Sequence, residues 1–149
     1  MSANRKAFEF LVVSLLNHLY DRFPEQEDIG GGVYCVEAAC SPGLNDEVRE
    51  AVPRVFSDTI EWLEAEGFIR TSNNHRMLDG SPGVVTGAVL TMKGLTLVGY
   101  TFDPSAGDRS TLADTAKDIV KSGASDAAAA WIKRLLNMAL EFGMDVAGS

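Results

Sequence analysis

The clearest pattern in the chain is an amphipathic stretch near its N-terminus. From Phe8 to Phe23, apolar residues recur at intervals of three and four positions, and polar residues lie away from the centre of that face. This spacing predicts a helix with one buried side. Pro24 follows, and the helix is expected to end there because proline donates no backbone hydrogen bond.

A less regular segment comes next. Residues 25–32 are polar and then glycine-rich, which predicts a turn, and these glycines lack the spacing of a phosphate-binding loop. Residues 33–36, Val-Tyr-Cys-Val, favour a short extended segment. Residues 41–43, Ser-Pro-Gly, predict another loop.

Two further helices are predicted between residues 45 and 67. Asn45 is a good N-cap for the first, and the carboxylates that follow it would meet the positive end of the helix dipole. Pro53 is expected to begin the second helix, since a proline inside a helix removes a hydrogen bond. Gly67 is expected to end it in the left-handed conformation that glycine adopts readily.

Two β-prone runs then flank a turn-rich loop. Residues 68–71 and 84–90 favour strands, whereas residues 72–83 are rich in Ser, Asn, Asp, Gly and Pro. This arrangement predicts a β-hairpin with a long tip. Thr91 is expected to cap a further helical turn or two.

The C-terminal part predicts a linker and two helices. Residues 103–109 have the composition of a linker. Thr111 with Asp114 resembles a capping box, and the helix that follows is expected to end at a Ser-Gly pair. A last helix is predicted from about Ser125 to Phe142.

The last helix is apolar over more than half of its circumference. A helix of this kind is usually buried on more than one side. Either it packs only onto the core of its own chain, or one side meets a second copy of the chain, and the sequence favours neither alternative. Self-association would use the residues Trp131, Ile132, Leu135, Leu136 and Phe142.

Length and composition are those of an ordinary globular protein. The 149 residues, of which 46% are hydrophobic and 23% charged, suffice for one well-filled core with an extension. No stretch approaches the roughly 20 apolar residues that span a bilayer, and the N-terminus lacks a signal-peptide cleavage site. We therefore expect a cytoplasmic protein with no membrane partner.

The net charge of −8 bears on nucleic-acid binding. Phosphate contacts supply most of the non-specific affinity of a protein for DNA, so a DNA-binding surface is normally positive. This chain has no basic tail. Binding to DNA would therefore need a local basic patch.

Few residues in the chain have catalytic or metal-binding potential. Cys35 and Cys40, taken with His18 and His75, do not have the spacing of a zinc site, so no metal and no cofactor is predicted. Both cysteines are expected to be reduced thiols, although the sequence leaves a disulfide between them open. No serine or cysteine has a base in its sequence context, and the helix carboxylates are expected to be solvated. The chain is therefore predicted not to be an enzyme.

The segment FSDTIEWLEAEGFIR, followed by a loop and AVLTMKGLTLV, resembles the core pattern of winged-helix regulators such as the MarR and PadR families. The resemblance covers roughly residues 5–100, and the residues that carry it serve packing and turns. The matching positions are Ile60, Leu63, Gly67, Phe68, Ile69, Leu90, Thr91 and Gly94.

This resemblance implies an α+β fold. Residues 1–102 would form a winged-helix-like domain of three helices and a β-hairpin wing. Residues 103–149 would add a linker and a C-terminal extension of two helices, which looks like the dimerisation helices that many such regulators carry. The helix from Pro53 to Glu66 would be the recognition helix, and residues 71–85 would be the wing.

The chain departs from the family pattern on the outward side of that helix. A recognition helix reads bases with Arg, Lys, Asn or Gln, and only Arg54 could serve here. The outward side instead carries Asp58, Glu61 and Glu64, with Trp62 at its margin, and we call these residues the acidic face. The acidic face predicts a binding site for a basic protein partner. Further candidate DNA contacts lie in or beside the wing, at Arg70, Asn73, Asn74, His75 and Arg76.

Two functional hypotheses follow. The preferred one is a non-catalytic binding or regulatory protein that uses the acidic face for a protein partner and the last helix for self-association. The alternative is a dimeric winged-helix transcriptional regulator that binds DNA through the wing and through residues of the first helix such as Arg5 and Lys6. Whether the chain binds DNA at all stays open at this point.

Overall fold

The computed structural model describes residues 2–79, 81–99 and 111–141. Within these ranges the chain forms six helices and one small antiparallel sheet, so the predicted α+β class is confirmed. Four of these helices precede residue 100, one more than the three predicted there. In chain order the elements are α1 (Ala3–Arg22), β1 (Glu27–Gly30), α2 (Gly32–Ala39), α3 (Asp46–Ala65), β2 (Ile69–Arg70), β3 (Asn73–His75), β4 (Val84–Leu90), α4 (Met92–Gly99), α5 (Leu112–Ser122) and α6 (Ser125–Glu141).

The predicted first helix is α1, and it forms the centre of the core. The side chain of Ser2 accepts a hydrogen bond from the Arg5 amide and caps its N-terminus. All six residues from Leu11 to Leu16 are buried, because α3 packs on one side of α1 while α5 and α6 pack on another. A helix that is buried on several sides has apolar residues around much of its circumference, and the sequence of α1 fits this pattern.

The segment between α1 and α3 was predicted wrongly. The expected turn contains β1, where Ile29 pairs with Val85 of β4 in an antiparallel ladder. The expected extended segment at residues 33–36 lies in α2. The helix places Tyr34 and Ala38, four positions apart, on one buried side against α3. Strand and helix propensities of such short segments are weak, and tertiary contacts decided both cases.

The predicted break at Pro53 is also wrong, because α3 runs continuously from residue 46 to residue 65. A proline inside a helix costs about 3 kcal/mol. Val52 and Phe56 flank Pro53 in the sequence, and the burial of each side chain stabilises the fold by about 1.5–3 kcal/mol. This gain is enough to keep the helix intact. The predicted ends are confirmed: Asn45 caps the Val48 amide, and Gly67 is left-handed at φ 82°.

Arg49 of α3 holds the loop that enters this helix. Its Nε donates a hydrogen bond to the Ala38 carbonyl at 3.0 Å, and its Nη2 donates one to the Ser41 carbonyl at 2.9 Å. One guanidinium therefore adds a second donor to two carbonyl groups at and just beyond the end of α2, which also accept the backbone amides of Ser41 and Leu44.

The predicted hairpin is confirmed and is larger than expected. β4 is the central strand, with β1 on one side and β2 and β3 pairing with it antiparallel. β3 lies within residues 72–83, which were predicted as a loop. The helix expected after Thr91 is α4, and the Thr91 hydroxyl accepts a hydrogen bond from the Gly94 amide at 3.1 Å.

The two predicted C-terminal helices are α5 and α6. The capping box of Thr111 and Asp114 is present, and Gly123 ends α5 in the left-handed conformation at φ 70°. Both helices share one hydrophobic core with α1. The predicted linker at residues 103–109 and the predicted domain boundary lie outside the described residues. In the described part of the chain, no helix combines the length and hydrophobicity that a membrane span requires.

Candidate functional site

The acidic face of α3 lies beside β3 and the residues that follow it, in the segment for which we keep the label wing (residues 71–85), and an ion-pair cluster joins the two. Nη2 of Arg76 lies 2.7 Å from Oδ1 of Asp58 and 2.6 Å from Oε2 of Glu61. These hydrogen bonds raise the pKa of the Arg76 guanidinium. The structure therefore brings together one candidate DNA contact and two candidate partner-binding carboxylates.

Glu64, the third carboxylate of the acidic face, also has a partner in the chain. Its Oε2 accepts hydrogen bonds from the Thr71 amide at 2.9 Å and from the Thr71 hydroxyl at 2.5 Å. The carboxylate thereby fixes the start of the wing against the end of α3. All three side chains remain exposed, so each keeps free lone pairs for a ligand.

The exposed surface of α3 is strongly acidic along its whole length. Arg54 is the only exposed basic residue of this helix. Against it stand six exposed carboxylates, namely Asp46, Glu47, Glu50, Asp58, Glu61 and Glu64. The periodicity of the sequence correctly placed Asp58, Glu61 and Glu64 on the exposed side of the helix. It could not reveal that Arg76, 18 positions from Asp58, would pair with it.

Arg54 lines the same cavity as Arg76, so two of the candidate DNA contacts lie on one surface. Arg54 donates a hydrogen bond from Nη2 to Oδ1 of Asn4 at 2.6 Å, so its charge lies beside the start of α1. Asn74 donates from Nδ2 to the Ser57 carbonyl at 3.0 Å, which ties β3 to α3. The remaining candidates are exposed on or beside the hairpin strands, at Arg70, Asn73 and His75.

The tip of the wing carries two apolar side chains that the sequence analysis missed. Met77 and Leu78 are exposed, and Leu78 is exposed completely. Met77 also lines a cavity of about 450 Å³ between α3 and the wing, together with Pro53 and Arg76. The available signal was a Met-Leu pair inside an otherwise polar loop.

Trp62 lies in a groove rather than on the open acidic face. Its ring meets the ring of Phe8 edge-on, with centroids 5.1 Å apart, and tilts against Phe68 at 6.0 Å. The groove has a volume of about 540 Å³ and runs between α1, α3 and α6. We call it the α1–α3–α6 groove, and the residues that line it are Asn4, Arg5, Phe8, Glu9, Val55, Asp58, Thr59, Trp62, Ile132 and Leu136.

Glu9 is the unexpected member of this lining. Only 3% of the residue is exposed, and its Oε1 has no hydrogen-bond partner among the described residues. Its Oε2 lies 3.8 Å from Nε of Arg5. Burial raises the pKa of the Glu9 carboxyl, and the nearby charges of Arg5 and Lys6 lower it less strongly. In the sequence, Glu9 stood out only as a polar interruption of an apolar stretch.

The candidate self-association residues divide into two groups. Trp131, Ile132 and Leu135 are buried in the chain's own core, and Trp131 donates a hydrogen bond from Nε1 to the Leu112 carbonyl at 2.8 Å. Leu136 is half-buried and lines the groove. Packing within the chain therefore accounts for most of the apolar width of α6. Phe142 lies outside the described residues.

The described ranges contain no group of three His, Cys, Asp or Glu side chains that could hold a metal ion. Cys35 and Cys40 are free thiols, as expected. His18 lies with Nε2 at 3.2 Å from Oε1 of Glu27, and Arg22 donates to the same oxygen at 3.1 Å. These three side chains tie the end of α1 to β1.

Comparisons with protein-family models, with curated proteins and with solved structures find no match to this chain.

Proposed function

We propose that this chain is a non-catalytic binding protein on a winged-helix-like scaffold, and that the acidic face engages a basic segment of a protein partner. Support for the scaffold comes from the order of elements, which is helix, strand, two helices, hairpin and helix. The central position of β4 between β1 and β2 is compatible with a wing formed by β3 and β4.

The observation that carries the proposal is the pairing of Arg76 with Asp58 and Glu61. In a winged helix, the duplex would lie against α3 and the wing. Arg76 would have to leave two carboxylates to contact a phosphate, and those carboxylates would then face the polyanion unpaired. Binding of DNA depends on the release of counterions from phosphates by basic groups, and this surface offers few of them.

A basic protein segment suits the same surface. Arginine or lysine side chains of a partner would find carboxylate oxygens with free lone pairs at Asp58, Glu61 and Glu64. Beside these charges, Met77 and Leu78 offer exposed apolar contacts. Complementary charge steers association, and buried apolar contacts at the centre of an interface supply much of its affinity.

The test compares two labelled probes by fluorescence anisotropy: a short peptide rich in arginine, lysine and leucine, and a mixed-sequence DNA duplex. We expect the peptide to bind and the duplex not to bind. In the double variant Asp58→Asn, Glu61→Gln, the affinity for the peptide should fall by about ten-fold, as expected for the loss of charge-assisted hydrogen bonds. The duplex should bind better to this variant, because Arg76 becomes available to phosphates.

The matched control is Asp118→Asn with Asp126→Asn, which makes the same change in net charge. Both residues are exposed on α5 and α6. We expect this control to leave the affinity for the peptide nearly unchanged. If both double variants weaken peptide binding equally, the peptide responds only to net charge and the acidic face is not a specific site.

One observation favours the alternative of a dimeric winged-helix transcriptional regulator that binds DNA through the wing. The hydrogen bond between Arg54 and Asn4 places the guanidinium of Arg54 beside the start of α1. Two further basic residues, Arg5 and Lys6, follow Asn4 directly in the sequence. If this cluster contacts phosphates, the natural chain will bind the duplex with a steep salt dependence, and Arg54→Ala will reduce that dependence. Sedimentation of the chain at several concentrations will show whether it is a dimer.

A further inference from the structure

We propose that the α1–α3–α6 groove binds a small molecule that carries a protonated amine on an apolar body, and that the amine pairs with Glu9. This site adjoins the ion-pair cluster of Arg76 through Asp58, but Glu9 lies outside that cluster and the proposal does not depend on the proposed protein partner.

The walls of the groove suit an apolar body. Phe8 and Trp62 form an edge-to-face pair on one side, and Val55, Ile132 and Leu136 supply aliphatic surface. Its volume of about 540 Å³ lies within the roughly 300–1,000 Å³ that small-molecule pockets span. An apolar ligand would complete the packing of side chains that α6 leaves half-covered.

Glu9 supplies the polar half of the recognition. A carboxylate oxygen that is buried without a donor loses its hydrogen bonds to water, and no hydrogen bond within the protein replaces them. Oε1 of Glu9 is in this position among the described residues, although the residue lines a groove that is open to solvent. Because a carboxylate only accepts hydrogen bonds, the group that satisfies it must be a donor. A protonated amine is a donor and also carries the opposite charge.

The groove is lined by two carboxylates, Glu9 and Asp58, and by the basic side chain of Arg5. Nε of Arg5 lies 3.8 Å from Glu9, beyond hydrogen-bonding distance, and its side chain is 67% exposed, so it can turn away. Lys6 is the other basic group near Glu9. Asp58 stands at the rim and is already paired with Arg76. The residues that α6 contributes are uncharged, and aromatic faces such as that of Trp62 attract cations.

The experiment uses phenylbutylamine and its neutral counterpart phenylbutanol as probes, titrated into the full chain at neutral pH. Binding is followed by the fluorescence of Trp62, with Trp62→Phe to identify its signal. The chain has only one other tryptophan, Trp131, which is buried against α5. We expect the amine to bind at least about ten-fold more tightly than the alcohol, as a charge-assisted hydrogen bond would give.

Three variants locate the site. Glu9→Gln should reduce the affinity for the amine to that for the alcohol. Asp58→Asn removes the other carboxylate of the lining and should leave most of the preference for the amine. Leu136→Trp should weaken the binding of both probes by the same factor, because the larger side chain fills the groove. The preference of the natural chain tests the proposal even if a variant fails to fold.

Three results would overturn the proposal: equal affinity for amine and alcohol in the natural chain, an unchanged preference for the amine in Glu9→Gln, or no saturable binding of either probe. Equal affinity for the two probes would mean that the groove recognises only the apolar body. Binding of the amine that depends on Asp58 would mean that the amine lies at the rim.

Discussion

Replacement of Glu9 by leucine should make the folded chain more stable at neutral pH. The carboxylate is almost fully buried, and its Oε1 has no hydrogen-bond partner among the described residues. A buried polar group without a partner costs about 1–3 kcal/mol, and more when it is charged. The ion pair lost with the exposed Arg5 contributes about 0–1 kcal/mol. We therefore expect the free energy of unfolding to rise by about 1–2 kcal/mol.

The size of this gain should depend on pH in a defined direction. Burial raises the pKa of Glu9 in the folded chain above its value in the unfolded chain. Between the two values the folded state binds more protons, so the contribution of Glu9 to stability falls as pH rises through the folded pKa. Leucine does not titrate. The advantage of the variant should therefore be smallest in acid, grow as pH rises through the window between the two pKa values, and level off above the folded pKa.

Urea denaturation followed by circular dichroism, repeated from acidic to neutral pH, measures both effects. The control is Glu50→Leu, which removes an exposed carboxylate from α3 and should shift stability by no more than about 0.5 kcal/mol. A loss of stability in Glu9→Leu at neutral pH, or a difference that does not change with pH, would refute the reasoning. The first result would mean that the carboxylate has a stabilising partner in the folded chain, and the second that its pKa is the same in the folded and unfolded chain.

Three further predictions concern the scaffold, and urea denaturation checks each. Gly94→Ala should lower stability by about 1–3 kcal/mol, because a Cβ there would overlap the backbone oxygen of Phe68. Gly32→Ala is the matched control, since a Cβ there meets nothing and helix propensity improves by up to about 1 kcal/mol; an equal loss in both would exclude the steric explanation. Arg49→Met should cost about 1.5–3 kcal/mol by removing two charge-assisted hydrogen bonds to backbone carbonyl groups, and a neutral effect would contradict that role. Thr111→Ala should cost about 1 kcal/mol, and Thr111→Ser should retain most of the stability.

The parts of the fold that the sequence predicted correctly depend on local chemistry. The N-cap at Asn45, the left-handed Gly67 and the capping box at Thr111 each need only a few neighbouring residues, and all are present. The errors occurred where distant contacts decide the outcome. β1 exists because β4 pairs with it, and Pro53 stays inside α3 because Val52 and Phe56 beside it are buried in the core.

The candidate site followed the same division. Helical periodicity placed Asp58, Glu61 and Glu64 on an exposed face, which α3 confirms. The pairing with Arg76 requires the wing to fold back onto α3, and no local pattern reports that contact. Glu9 could not be recognised either, since a charged residue in an apolar stretch is normally assigned to the exposed side of a helix.

The most direct test of the central claim is a titration of mixed-sequence duplex DNA with the natural chain at low salt, up to about 100 μM protein, the range in which non-specific DNA binders are detected. We predict no binding by the natural chain, and salt-sensitive binding once Asp58→Asn and Glu61→Gln release Arg76. Salt-sensitive binding by the natural chain that Arg76→Ala reduces would contradict the account, because it would show that the wing contacts DNA despite the acidic face.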